Sequence, residues 1–199
     1  MKLFIWISIF TFITQTTFCQ VEESFKVQFG LWQPIGKLNN TFYNSPSFGF
    51  NPTLPISDNL GVTVGGKVNY IINSEPYDYM KNDSTFKTSS SQTGNTIIGF
   101  WLVHENKISE KFYLDKNLGI GINNLITSTK KPNRKNNFYN VATINLSFEI
   151  GLWYISFIGP FGLFLNYNYS PYNLLSRVHK DFGNSSIAYG IQYNINFTK

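Results

Sequence analysis

Ile187-Ala188-Tyr189-Gly190-Ile191-Gln192-Tyr193-Asn194-Ile195-Asn196-Phe197 alternates without a break between an apolar set and a set of small or amide side chains. Side chains that alternate with period two lie on opposite faces of a β-strand, whereas a helix would need a period near 3.6. The stretch from Ala142 to Tyr154 repeats the pattern. Ala142, Ile144, Leu146, Phe148, Ile150, Leu152 and Tyr154 share one parity, and Thr143, Asn145, Ser147, Glu149, Gly151 and Trp153 take the other. Thirteen alternating residues exceed the five or six of an ordinary soluble strand.

Working outward from these two stretches, eight segments of this kind can be placed: 24–32, 47–55, 60–72, 94–104, 112–125, 140–155, 161–169 and 186–197. The second contains Pro52, which cannot donate to a ladder and implies a bulge or irregular pairing. The fourth leaves its parity open, with Ile97 and Trp101 set against Ile98 and Phe100. The connections run 33–46, 56–59, 73–93, 105–111, 126–139, 156–160 and 170–185, so long and short alternate throughout. With an even strand number, every long loop then falls at one end of the molecule and every tight turn at the other. Spanning outer-membrane barrels have that construction, with long loops outside and short periplasmic turns. The pattern therefore predicts a single all-β, eight-stranded antiparallel up-and-down transmembrane β-barrel over residues 20–199.

Composition agrees. Charged residues are 14% and aromatics 18% of the 199, where a soluble domain carries roughly a quarter charged residues. No apolar run past the first twenty residues approaches the roughly 20 needed for a membrane helix. Aromatics of the apolar parity gather near segment ends, Phe25, Phe112, Tyr154, Phe161 and Phe197 at the turns and Phe48, Tyr70, Tyr167 and Tyr169 at the loops. Such belts match the interfacial girdles of a barrel, although aromatics favour strands generally. The net charge of +5 is scattered and forms no nucleic-acid-binding stripe.

Residues 1–19 read as a secretory signal peptide. Lys2 is followed by the apolar run Leu3 to Ile13 and a polar tail, with Thr17 and Cys19 three and one residues before the cut. A lipoprotein signal with Cys19 acylated competes with this, against Phe18 and Thr16 standing where small and leucine residues are wanted. With Cys19 removed the mature chain has no cysteine and needs no disulfide.

The stretch Gly30-Leu31-Trp32-Gln33-Pro34-Ile35-Gly36-Lys37, then Phe48-Gly49-Phe50, then Pro55-Ile56-Ser57-Asp58-Asn59-Leu60-Gly61, resembles the first hairpin of small outer-membrane β-barrel proteins of the Bacteroidetes, barrels of the OmpA/OmpX type. The strand carrying Tyr193, Ile195 and Phe197 looks like the C-terminal signal read by the barrel-assembly machinery, with Thr198 and Lys199 following where the aromatic is usually last. The resemblance spans the mature chain and implies a cell outer membrane location, with membrane lipids and the assembly machinery as partners. It carries no activity.

Candidate chemistry is sparse. His104 and His179 lack neighbouring Cys, Asp or Glu at ligand spacing and read as solvated side chains, so neither metal nor cofactor is expected. Ser176, His179, Asp181, Ser185 and Ser186 lie close in sequence, but the His-x-Ser-Asn arrangement of lipid A deacylases is absent, since His179 is followed by Lys180, Asp181 and Phe182. A triad also needs its base held against the nucleophile, and no enzyme is expected. Gly30-Leu31-Trp32 matches the Gly-x-Trp of lipocalins, which makes a soluble lipocalin-like carrier a rival. That fold needs an apolar interior and a charged exterior, and the polar parity here is Gly, Asn, Thr and Ser. Gly65-Gly66 and Gly119-Ile120-Gly121 mark places where a small barrel bends or packs tightly.

Parity points Lys26, Lys67, Asp115 and Glu149 inward, Lys67 and Glu149 at mid-barrel depth and the other two nearer the turns. Charges in a narrow lumen must be paired or hydrogen-bonded. The expectation is a Lys67–Glu149 pair supported by Asn145, Asn166 and Gln192, set against separate hydration of each charge. An eight-stranded interior is just wide enough for side chains to fill, so no pore is expected. A structural, adhesive or interaction role then falls to the loops, with Tyr77, Tyr79, Phe86, Arg134, Tyr139 and Tyr172 as exposed candidates. An extracellular protein partner, or a place as accessory barrel of a secretion system, stays open.

Overall fold

The computed structural model describes residues 21–72, 78–81, 84–87, 92–129, 137–175 and 183–196. Among them eight long strands close into one antiparallel barrel. They are β1 (Ser24–Ile35), β2 (Ser45–Ser57), β3 (Leu60–Ile72), β4 (Gln92–Lys107), β5 (Phe112–Thr129), β6 (Asn137–Ser156), β7 (Gly159–Tyr169) and β8 (Ser185–Asn196). Each pairs with its neighbours in chain order, and β1 joins β8 from Ser24↔Asn196 to Ile35↔Ser185, leaving no edge. Closure satisfies every ladder without solvent, which a sheet in hydrocarbon requires.

The eight expected segments are the eight barrel strands, most of them a few residues longer than the alternation indicated. Pairing outlasts the side-chain pattern, because backbone groups continue a ladder whatever side chains they carry. β1 runs on past Trp32 through Pro34. Beyond the closed ring it pairs only with β8, since its ladder with β2 stops at Trp32↔Ser45, and a residue without an N–H is tolerated where a strand has a single neighbour. Around Pro52 the β2–β3 register omits Asn51 and Pro52, and the register shift itself lies further on, between Pro55 and Ser57. The tight turns shrink to 58–59, 108–111 and 157–158.

The long connections hold structure that the alternation did not reveal. A hairpin, Asp78–Lys81 with Ser84–Lys87, rises between β3 and β4. A 3-10 turn, Gly36–Asn40, follows β1, and a four-residue helix, α1 (Tyr172–Leu175), follows β7.

Burial settles which parity faces inward. In β4, Ile97 and Trp101 are 1% and 4% exposed while Ile98 and Phe100 are 62% and 60%. Around the wall the outward set is apolar: Val27, Phe29 and Leu31 on β1, Leu118, Ile120 and Ile122 on β5, Leu146, Phe148, Ile150 and Leu152 on β6 are all exposed. The inward set is mostly polar and buried, including Gln28, Asn51, Thr63, Asn69, Asn95, Asn117, Asn123, Asn145, Asn166 and Gln192. Among the described residues an apolar cluster lies at the loop end, where Trp32, Ile71, Leu125 and Val141 of the wall meet Leu38, Phe42 and Tyr172 from the loops. The barrel is thus inverted relative to a soluble one, and a lipocalin-like carrier, with its apolar interior, does not fit it.

Candidate functional site

The lumen is built in layers, and its charged layer lies toward the turn end. Lys26 reaches from β1 across to Asp115 on β5, with Nζ 2.6 Å from Oδ2. Lys67 of β3 donates to Glu149 Oε2 of β6 at 2.5 Å, and Lys26 Nζ also stands 3.6 Å from Glu149 Oε1. All four side chains are buried. β1 and β5 are four strands apart in a ring of eight, so these bonds cross the lumen and do not run along its wall. That is possible only because an eight-stranded interior is about as wide as a long side chain.

Lys26 thereby ties both acids into one cluster of two lysines and two carboxylates. The supporting amides differ from expectation. Gln28 Nε2 donates to Glu149 Oε1 at 2.9 Å and Asn117 Nδ2 at 3.0 Å. Gln192 enters at one remove, accepting from Gln28 at 3.2 Å. Asn166 is the β7 ladder partner of Glu149, but its hydrogen bond, like those of Asn145, lies in the amide chain described below. Depth counted along a strand could not foresee this, because strand stagger brings distant sequence positions to one height.

Aromatic faces complete the surroundings of the ammonium groups. Lys26 Nζ lies 5.4 Å from the Trp153 ring centre, and Lys67 Nζ lies 6.0 Å from Trp101 and 5.8 Å from Phe164. These distances suit cation–π attraction, which grows when the cation is desolvated. Trp101 itself donates from Nε1 to Ser147 Oγ at 2.7 Å. Its indole packs against Gly119, where any Cβ would overlap Trp101 Cδ1 and Nε1. The Gly119-Ile120-Gly121 run is therefore a close-packing position, as its sequence suggested. A pocket lined by Lys26, Asn51, Thr63, Lys67, Trp101, Asn117 and Glu149 remains, with room for about one water.

Above the charges lies an amide layer in which one side chain donates to the next. Asn69 donates to Asn95 at 2.6 Å and Asn95 to Asn123; Asn123 donates to Ser170 Oγ at 2.8 Å, and Ser170 to Asn145 at 2.8 Å. Asn145 Nδ2 then reaches Asn168 at 3.4 Å, and Asn168 donates to Asn166. The chain crosses from β3 to β7 and takes in Ser170, just beyond the end of β7. Tyr172 joins it by accepting from Asn123 at 3.0 Å. Tyr172 was expected among the exposed loop candidates and is 1% exposed. The reason is that α1 folds inward and places its ring in the apolar cluster. Tyr79 and Phe86 lie on the loop hairpin and Tyr139 near the start of β6, while Tyr77 and Arg134 lie outside the described residues.

His104 is also buried, contrary to the solvated reading, with Nε2 3.4 Å from Asn59 Nδ2 of the neighbouring turn. No group of three or more possible metal ligands occurs among the described residues. Ser176, His179 and Asp181 lie outside them, and Ser185 Oγ is 3.0 Å from Tyr167 OH. Tyr193 and Ile195 of β8 both point outward and are exposed. Phe197 and the signal segment 1–19 lie outside the described residues.

No protein-family model matches the chain, and no curated protein matches it in sequence. Among solved structures, the Yersinia pestis outer membrane protein Ail, determined as a backbone structure in phospholipid bilayer nanodiscs, is similar at 17% identity and a TM-score of 0.44. The alignment covers 88% of this chain and 100% of Ail.

Proposed function

We propose that this chain is an outer-membrane barrel with a filled, non-conducting lumen, which acts through what its loop end presents to the outside. The observation that carries the reading is the inversion of polarity. An apolar wall facing outward costs free energy in water at roughly 25 cal/mol per Å², and in hydrocarbon the same wall is at its minimum. The lumen supports the second half. A cross-lumen ion cluster, an amide chain and an apolar cap at the loop mouth occupy the space a solute would need. What remains for interaction is the loop end, which carries the long connections, the hairpin and α1. The role is structural, adhesive or that of a partner-binding barrel, with membrane lipids as its surroundings.

The test combines fractionation with conductance. The protein is expected in the outer-membrane fraction, shifting in apparent mass on a gel when heated. Reconstituted in planar bilayers, it is expected to leave the membrane resistance unchanged. Recovery as a detergent-free soluble monomer would refute the membrane reading, and stable ion channels would refute the closed lumen. Cross-linking on native membranes then asks for the loop partner, and a stoichiometric secretion component among the products favours the accessory-barrel alternative.

A further inference from the structure

The turn between β6 and β7 reads Ser156-Phe157-Ile158-Gly159, and its side chains are unlike those of the other two turns. Phe157 is 100% exposed and Ile158 62%. The β2–β3 turn also has an exposed apolar residue, Ile56, but its tip is Ser57-Asp58-Asn59; the β4–β5 turn has Ile108 beside Ser109-Glu110-Lys111. Only the β6–β7 turn, among these three, has an apolar tip.

Its backbone is unusual in a second, independent way. The Ile158 N–H donates to Ser156 Oγ at 3.2 Å, and the Ser156 hydroxyl donates to the Gly159 carbonyl at 2.8 Å. The Ile158 carbonyl accepts from the Tyr193 hydroxyl at 2.6 Å, across β7 from the outer face of β8. Gly159, at φ 119°, has the left-handed backbone that turns the chain toward that hydroxyl, and a Cβ there would come 2.7 Å from the Tyr193 oxygen. Such bonds also occur in solvated turns, where water could replace them. Supplying them from side chains matters where water is scarce, because an unpaired backbone group there is costly.

The third observation is continuity. Phe112 stacks beside Tyr154 at 5.2 Å between ring centres, and Tyr154 beside Phe161 at 5.4 Å, on the outer face immediately above this turn. Leu152 and Tyr193 extend the same exposed outer face. The apolar wall therefore runs past the strand ends at this corner and stops at polar tips at the other two.

From these three observations we infer that the β6–β7 turn is a lipid-inserted anchor: Phe157 and Ile158 lie in the acyl–headgroup boundary of the periplasmic leaflet and pin this corner of the barrel deeper than the β2–β3 and β4–β5 turns. The occupant is the lipid surface itself, reached by continuity with the wall. This inference rests on the membrane reading above, and the experiment separates the two.

Cys19 is the only cysteine in the sequence, so a Cys19→Ser background allows single-cysteine variants carrying a nitroxide spin label. Labels are placed at Phe157→Cys, at Ser109→Cys in the β4–β5 turn, and at Leu163→Cys on the outer wall, in protein refolded into phosphatidylethanolamine/phosphatidylglycerol vesicles. Collision with dissolved oxygen reports lipid, and collision with a water-soluble nickel chelate reports solvent. The expected result is oxygen-dominated relaxation at 157 and 163 and nickel-dominated relaxation at 109. A label at 157 that behaves as the one at 109, with 163 still in lipid, overturns the anchor and leaves the barrel reading standing. A nickel-accessible label at 163 overturns both. As a second readout, Phe157→Asp is expected to move the label at 158 (Ile158→Cys) toward the nickel-accessible side, while Asp58→Asn leaves it where it was. No movement with Phe157→Asp would also overturn the proposal.

Discussion

Removing both partners of the Lys67–Glu149 bond should cost less than the sum of the two single losses. The four buried charges Lys26, Lys67, Asp115 and Glu149 sum to zero. Glu149→Gln leaves two lysines facing one carboxylate, and offers Lys67 at best a neutral amide oxygen in place of the carboxylate oxygen 2.5 Å from its ammonium. Lys67→Met leaves the opposite imbalance, but Glu149 then keeps Lys26 at 3.6 Å together with the amide donors Gln28 and Asn117. Breaking a buried pair costs about 3–5 kcal/mol, so Glu149→Gln is expected near the top of that range and Lys67→Met near the bottom. The double variant restores neutrality with Lys26 still bound to Asp115 at 2.6 Å. It should therefore lose less than the sum of the two, by a coupling of about 2 kcal/mol, inside the span for side chains in contact. The assay is urea unfolding of the detergent-refolded protein, followed by tryptophan fluorescence. Trp32, Trp101 and Trp153 are all buried and report the lumen directly. Additive losses, within about 0.5 kcal/mol, would refute the reasoning: each charge would then be held by amides and water independently of the other.

Gly119→Val should displace the Trp101 indole, costing about 1–3 kcal/mol as overpacking and altering the near-ultraviolet circular dichroism; an unchanged spectrum would mean the ring does not rest there. Phe42→Ala, at a fully buried position of the loop-end cluster, should raise amide exchange in 36–44 and 170–175 while leaving the middle of β5 and β6 protected, since the cap opens locally. Protease added to intact cells should cut within 73–93 and 126–139 and spare 56–59 and 156–160; the reverse pattern would invert the topology.

Most of the wall was legible because one physical rule governs it. Side chains alternate between the outer face and the lumen, and Ala142 to Tyr154 states that rule for thirteen residues without exception. Parity also identified the inward charges, for the same reason. What parity cannot supply is height, which depends on how far each strand slides past the next. Lys26 on β1 meets Asp115 on β5 and Glu149 on β6 through accumulated stagger, and no local pattern encodes that sum. β4 was ambiguous because Ile97 and Trp101 are as apolar as Ile98 and Phe100; the lumen accepts the indole only where Gly119 clears the opposite space. The loop-end cap was invisible for a related reason. Tyr172, Phe42 and Leu38 lie in polar-looking connections, and their apolar character becomes meaningful only beside Trp32, Ile71, Leu125 and Val141.

The order of the layers bears on what the molecule can do. A solute approaching from the loop end meets Phe42 and Tyr172 first, then the amide chain from Asn69 to Asn166, then the cluster around Glu149. Passage would require opening an apolar cap and several cooperative hydrogen bonds, and separating buried charges, each of which opposes it on its own. Yet Tyr172 belongs to the cap and the amide chain at once, through Asn123, and Ser170, two residues before it, bonds both Asn123 and Asn145. A partner that pulled α1 outward would break those bonds and expose the upper amides while leaving the lower charges paired. The lumen is thus better suited to fixing the loop end in one conformation than to transmitting anything through it. A barrel whose interior holds its own loops in place would offer any binding partner a preorganised surface, which lowers the ordering cost of binding.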